Sequence, residues 1–282
     1  MQGLDFDPAR RAPAPRPAAT VIVLRPSAEG LEVFCVLRHQ KSGFLGGAVV
    51  FPGGKVDPKD ASELWDGLSS EPHPRTSLLA TDDAPARALT IAAARETLEE
   101  ATIVPLETPL PDDEILAMRR ELESGRALPE VLRSRGARLA TAALVPWARW
   151  VTPEAEARRF DARFFLLALP EHQRGAHDDH ETTMSFWARP ADVLRRFLAG
   201  EIFLAPPTTR SLELLAECDS LESAVALANE QSLLPVCPKF VADEKAPYLA
   251  LPGDPSHDVP EKRVSGKTRF VLRDARFVSE DP

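Results

Sequence analysis

The sequence predicts an α/β protein in which a mixed β-sheet is sandwiched between helices, an α/β/α arrangement. Two observations carry this. β-Branched and aromatic runs recur from Thr20 almost to the C-terminal end, with helical stretches between them at irregular intervals, the pattern of a mixed sheet rather than a regular doubly wound one. The composition, 44% hydrophobic and 27% charged over 282 residues, supports a substantial core in one elaborated domain or two small ones. No internal repeat is present.

Taken in order, "MQGLDFDPARRAPAPRPA" is proline-rich and lacks the apolar segment of a signal peptide, so residues 1–17 read as a flexible leader. "TVIVLRP" and "LEVFCVLRH" are strand-like and separated by "SAEG", which predicts a hairpin. "GAVVFPGGKVD" reads as a buried strand stopped by Pro52, Gly53 and Gly54. Residues 61–84 mix serine, proline and acids without sustained period, an irregular insertion expected to lie on the surface. A helix starts near Pro85, with Asp82 or Asp83 available as its cap, and runs to about Thr102. "PDDEILAMRRELESG" and "LPEVLRSRG" carry acids early and arginines late, as helices prefer. Strands return at "ALVPWARWVTP", "RFFLLALP" and "TMSFWARP", followed by the helix "ADVLRRFLAG" and a helical pair over "PPTTRSLELLAECDSLESAVALANEQ". Residues 236–282 hold short strand-like pieces and read as a C-terminal extension to a domain over 18–235.

The formal charge of -9 argues against a general electrostatic grip on nucleic acid or an anionic membrane. No run approaches the ~18 apolar residues of a membrane span. Cys35, Cys218 and Cys237 are odd in number and lack metal-type spacing, which predicts inert thiols in a reducing, cytoplasmic setting.

The chemistry concentrates in "AAARETLEEATIV". At 100° per residue Glu96, Glu99 and Glu100 share one sector of the helix, with Ile91, Ala94, Leu98 and Ala101 opposite. Like charges at i,i+4 cost about 0.2–0.5 kcal/mol, and acids near a helix C-terminus oppose its dipole at a further ~0.3–1 kcal/mol each. Arg95 can reach Glu99, but one guanidinium does not neutralise three carboxylates. The cluster is either a solvated acidic face or an oxygen donor set for a hard cation such as Mg²⁺.

"GGKVDPKD" and, after an interruption, "RETLEE" together resemble the Nudix box. Gly54 takes the first glycine, Asp60 the first acid, Arg95 and Glu96 the Arg-Glu positions, and Glu99 and Glu100 the Glu-Glu pair. The match departs where Asp60 replaces Glu, Thr97 an aliphatic residue and Thr102 a glycine, and where 34 residues separate Asp60 from Arg95 instead of seven. A long interruption is a feature of the coenzyme A diphosphatase branch of the Nudix family, which "SGFLGGAVVFPGGKVDPKDAS", "WVTPEAEARRFDARFFLLALP" and "GEIFLAPPT" also resemble. The resemblance implies a Nudix fold and metal-dependent hydrolysis of a phosphoanhydride. Mg²⁺ or Mn²⁺ would be held by Glu96, Glu99 and Glu100 beside the Gly54 carbonyl, with Arg95 orienting the glutamates and Glu99 taking part in catalysis. The implied substrate is a small-molecule nucleoside diphosphate derivative, foremost coenzyme A or an acyl-coenzyme A. ADP-ribose, NADH or a dinucleoside polyphosphate are the alternatives, as is a Nudix-fold sensor that binds without cleaving. A homodimer is compatible with this family.

Two further residues are singled out by position. Arg38, in "VLRHQKSGFLGG", resembles the arginine of an upstream motif of coenzyme A-directed enzymes, where it could meet a 3′-phosphate. Glu181, in the loop before a late strand, stands where many Nudix enzymes carry an additional base or metal ligand; Asp178 and Asp179 compete for that role. Trp147, Trp150, Phe164 and Phe165 read as core, with base stacking the less expected alternative.

Overall fold

A computed structural model of the chain describes residues 7, 12–40, 45–177 and 182–282. The predicted first hairpin forms from β1 (Arg16–Ser27) and β2 (Gly30–Arg38), which pair antiparallel through Leu24 and Val33. β1 starts four residues before the β-branched run, because Arg16 to Thr20 pair in parallel register with Phe160 to Phe164. The segment after the hairpin is two short strands, β3 (Val49–Val50) and β4 (Gly53–Lys55). The glycines therefore do not merely stop a strand; they pair with Ala19 and Thr20 of β1. β5 (Val145–Val151), β6 (Phe160–Ala168) and β7 (Thr182–Ala188) complete a seven-stranded sheet ordered β3-β2-β1-β6-β5, with β4 beside β1 and β7 beside β2. The β1–β6 pair is parallel and the others are antiparallel, so the sheet is mixed as predicted.

Helices cover both faces. α1 (Ala86–Ala101) packs Leu89, Ala92, Ala93 and Ala101 against Val21, Val23 and Phe165. Its other flank, Ile91, Ala94 and Leu98, meets α2 (Asp112–Glu123) and α3 (Leu128–Arg135) through Ile115, Met118 and Val131. A helix buried on two sides has no broad solvated face, which counts against the solvated acidic face among the two readings that the sequence leaves open. Glu100 is only 4% exposed. Pro85 is the N-cap of α1 without a side-chain bond, and Asp83 accepts instead from the Thr81 hydroxyl, so neither candidate aspartate caps the helix. On the opposite face lie α4 (Pro190–Leu198), α5 (Pro206–Leu215) and α6 (Leu221–Glu230), packing Val193, Phe197, Leu212 and Ala228 against Ile22, Leu24 and Leu166.

The interruption in the box is less superficial than its composition suggests. It folds as three 3₁₀ turns, Pro58–Ala61, Glu63–Trp65 and Pro74–Leu78. Trp65 and Leu68 enter the α1–α2–α3 core and Leu79 the sheet–α1 core. Arg75 reaches over to donate to the Gln231 carbonyl at 2.7 Å. The C-terminal pieces form a second sheet, β8 (Lys239–Val241), β9 (Tyr248–Ala250), β10 (Arg269–Arg273) and β11 (Arg276–Glu280), antiparallel throughout. Its Leu249, Phe270 and Phe277 belong to the same core as Trp147 and Phe197. Among the described residues no helix is long and apolar enough to cross a membrane.

Candidate active site

The site forms where α1 passes the glycine turn. Gly53 has φ +157, and a Cβ there would strike the Ala19 carbonyl and Thr20 Cα, so only glycine lets β4 approach β1 this closely. A Cβ on Gly54 would strike the Glu96 carboxylate, which lies directly against the turn. The Gly53 N–H donates to Glu100 Oε2 at 2.9 Å. Two of the three acids of α1 are thereby fixed onto a strand nearly fifty residues upstream, and the interruption leaves that register intact.

Arg95 organises the remaining charge. Its Nε and Nη2 donate to both oxygens of Asp60, at 3.1 and 3.0 Å, while Nη2 also reaches the Lys55 carbonyl at 3.0 Å. Its Nη1 donates to Glu96 at 2.7 Å and to Glu99 at 3.3 Å. Asp60, only 1% exposed, also accepts from the Asp57 N–H in a capping box at the first turn of the interruption. Burial works against the charged guanidinium, but the Asp60 hydrogen bonds and the charges of Glu96 and Asp60 prevail and hold Arg95 protonated beyond its ordinary range. Arg95 and Asp60 thus act as a bidentate brace behind the glutamates. The substitution of Asp for Glu at the first acid is accommodated because the 3₁₀ turn Pro58–Ala61 brings the shorter side chain within reach.

Glu99 is the most open of the three, with 40% of its side chain exposed. Burial and the neighbouring Glu96 charge, against the counter-pull of Arg95, push its carboxyl up to about 7. This is a site short of positive charge. Arg38 lies beside Glu100 at 4.0 Å, Nη1 to Oε1. Its guanidinium thus stands with the acids and lines the same cavity, where a substrate phosphate could meet it. Glu181, with Asp178, Asp179 and His180, lies outside the described residues.

Thr102, the residue in place of the expected glycine, adopts the left-handed conformation at φ 54 as the C-cap of α1. A β-branched residue there is strained by about 1–2 kcal/mol. The position is held by its hydroxyl, which donates to the Ala176 carbonyl at 3.1 Å and accepts from Arg119 at 2.8 Å.

The groups at the glycine turn able to bind a metal are carboxylate and carbonyl oxygens, and this donor chemistry suits a hard divalent cation that keeps several waters. Among the described residues no three carboxylate or imidazole groups converge as a preformed cage. Glu96 and Glu99 face Arg95, and Glu100 faces Gly53.

An open cavity of about 810 Å³ leads from these acids. Glu96, Glu100, Gly53 and Lys55 line one end, and Trp150, Phe164, Pro206 and Leu249 are among the residues of its walls. Trp147 and Phe165, by contrast, are core residues, 1% and 0% exposed. The C-terminal contribution to the cavity carried no sequence signal, because it depends on Val236 pairing beside β5 at Trp150.

An α/β/α sandwich with a glycine turn locked onto an Arg-Glu-x-x-Glu-Glu helix defines the Nudix class. The chain belongs to the NUDT19 Nudix domain family, whose model matches residues 10–215. It is 31% identical over 273 residues to the acyl-coenzyme A diphosphatase NUDT19 of Gallus gallus, covering 80% of this chain and 69% of that protein. The acyl-coenzyme A diphosphatase NUDT19 of Homo sapiens is 30% identical over 237 residues, 70% of this chain and 63% of its own. The chain thus spans roughly two thirds of the length of these curated relatives. A crystal structure of a NUDIX hydrolase from Alicyclobacillus acidocaldarius superposes with a TM-score of 0.63 at 32% identity, covering 76% of this chain and 96% of that one.

Proposed function

We propose that the protein is a metal-dependent diphosphatase that cleaves the phosphoanhydride of coenzyme A or an acyl-coenzyme A, giving 3′,5′-ADP and phosphopantetheine or its acyl form. The observation that carries this is the junction of Gly53–Gly54 with Glu96 and Glu100, an all-oxygen donor set at the mouth of a cavity large enough for a nucleotide-linked substrate. The relatives' name, acyl-coenzyme A diphosphatase, supports the substrate class.

Glu96, Glu99 and Glu100 would hold Mg²⁺ or Mn²⁺ with the Gly54 carbonyl. The bound cation supplies charge neutralisation of the diphosphate and a lowered pKa for the attacking water. The chain's own residues then have separable tasks. Arg95, braced by Asp60, fixes the Glu96 and Glu99 carboxylates and cannot itself give up a proton. Glu99, whose carboxyl is pushed up to about 7, is the acid of the cluster most open to solvent and would have to release its proton to hold a cation. Arg38, beside Glu100, offers its positive charge to a diphosphate oxygen at the same end of the cavity. Glu181 remains a candidate base by its place before β7.

The three cysteines are free, in keeping with a reducing, cytoplasmic setting. The test is a divalent-metal assay across coenzyme A, acyl-coenzyme A, ADP-ribose, NADH and dinucleoside polyphosphates, with product masses recorded. Turnover of coenzyme A or its acyl esters above the others is expected. Preferential turnover of ADP-ribose or NADH would reassign the substrate, and binding without turnover would make the protein a sensor.

A further inference from the structure

The cavity runs in a direction that the family box does not explain. β4, β1, β6 and β5 lie side by side. Gly53 and Trp150 are thus three strand spacings apart, about 14 Å across the sheet. Between them the floor is made of small side chains, Ala18 and Ala162, which are register partners, with Phe164 facing Thr20 in the next row. Beyond β5 the chain continues the layer, since Val151 donates to the Val236 carbonyl at 2.9 Å and Val236 to the Arg149 carbonyl at 2.8 Å. Pro238 and Leu249 of the C-terminal region close that side. These two residues lie beyond residue 215, where the family match ends.

The chemistry changes along this path. At the β4 end are Glu96, Glu100, Lys55 and Arg38. At the β5 end the walls are Trp150, Phe164 and Leu249 with Pro206, Pro207 and Pro238, and the connection from β5 to β6 adds Thr152, Glu156, Arg158 and Arg159 at the rim. Prolines carry no N–H, so three of those residues offer no backbone donor. Trp150 and Phe164 are 3% and 6% exposed, too deeply set to present a full ring face for stacking. A flexible apolar chain can lie along the alanine floor without a free ring.

We propose that the trough from Ala18 and Ala162 to Trp150, Pro207 and Leu249 is a binding subsite for the hydrocarbon arm of an acyl thioester, and that the C-terminal sheet helps set the chain length it accepts. This rests on the coenzyme A reading and deepens it. It assigns residues 236–282 a share in substrate selection, because Leu249 is held in place by β8 and β10 on either side of β9.

The test separates the subsite from the chemistry. In EDTA, so that hydrolysis plays no part, the full chain is titrated with acetyl- and octanoyl-coenzyme A. Each methylene buried in an apolar trough strengthens binding about fourfold. The expected result is a dissociation constant at least about tenfold lower for octanoyl- than for acetyl-coenzyme A, allowing for incomplete burial. Pro207→Trp fills the trough from the first turn of α5, a position that tolerates the loss of a proline, and should collapse this ratio towards one. Leu249→Ala, if it folds, should move the preference to longer chains. Equal binding of the two esters by the parent, or no binding, overturns the subsite. So does an undiminished ratio in a Pro207→Trp variant that melts like the parent. Hydrolysis is scored separately with Mg²⁺: loss of the ratio with coenzyme A still cleaved sinks only the subsite. Chain-length dependence without cleavage sinks the diphosphatase reading and leaves the subsite standing.

Discussion

The two ends of the cavity differ in how they are assembled. At the acid end a few residues at fixed spacing, Gly53–Gly54 and Arg95 to Glu100, meet through hydrogen bonds of 2.7 to 3.3 Å, and nearly every group is charged. At the apolar end Trp150, Pro207 and Leu249 come from three separate elements that line one wall, Trp150 and Leu249 sharing a hydrophobic core. Directional, charged contacts constrain which residue types can occupy a position, whereas packing constrains only volume and polarity. Substitutions at the acid end should therefore act through chemistry and those at the apolar end through preference.

The largest effect is expected at Glu100. If Glu100 holds the cation as proposed, Glu100→Gln removes a ligand charge, and the several kcal/mol of charge stabilisation that a metal supplies correspond to a loss of about 10³-fold in kcat. Repulsion arguments from the sequence would make this variant more stable. The structure reverses that sign, because Glu100 is buried and accepts from the Gly53 N–H. A melt in chelator should show a loss of about 1–2 kcal/mol, the difference between a charged and a neutral acceptor. Retained kcat with a larger stability loss would make Glu100 a structural residue only.

Asp60→Asn comes next. It removes the charge that meets both Nε and Nη2 of Arg95, and breaking a buried pair costs about 3–5 kcal/mol. Loss of such a supporting partner lowers metal affinity or activity about 10–100-fold. The predicted signature is a fall in both Tm and apparent Mg²⁺ affinity; a fall in Tm alone would confine Asp60 to the fold.

Glu99 sharpens the comparison through pH. Its carboxyl is raised in the folded chain, so between the ordinary value of 4.5 and about 7 the folded state holds a proton that the unfolded state has released. This contribution to stability is complete below about pH 4.5 and is lost as pH rises through about 7, screened because Glu99 is partly exposed. Metal affinity should move the opposite way, rising through the same window as the proton leaves. Glu99→Gln should flatten the apparent Mg²⁺ affinity against pH, and an unchanged profile would place the titrating group elsewhere.

The smallest effect is expected at Thr102, where strain and hydrogen bonds oppose each other. Thr102→Gly relieves about 1–2 kcal/mol of backbone strain and forfeits two hydrogen bonds of about 1 kcal/mol each. Thermal unfolding should change by no more than about 1 kcal/mol, a near-cancellation of those terms. A loss of several kcal/mol would show that the Arg119 contact carries the C-terminal end of α1.

The same contrast explains what was legible in the sequence. Strands and helices were readable because periodicity and end signals are local, and the Arg95–Glu100 cluster because helical geometry fixes its spacing. The environment of that cluster was not. Burial of Glu100 depends on the glycine turn of β4 closing against α1, and the pairing of Arg38 with Glu100 depends on β2 lying near that turn. Composition misled in the interruption, where polar text conceals Trp65, Leu68 and Leu79 in two cores. The C-terminal sheet was readable as strands but not as a cavity wall, since no local pattern records that Val236 pairs beside Trp150.

The central claim is tested most directly by following hydrolysis of coenzyme A in ¹⁸O-water with and without Mg²⁺. Metal-dependent release of 3′,5′-ADP and phosphopantetheine is expected, with a single ¹⁸O atom in one product phosphate per turnover and no inorganic phosphate. Metal-independent turnover, or release of inorganic phosphate from a monoester with the anhydride left intact, would contradict it.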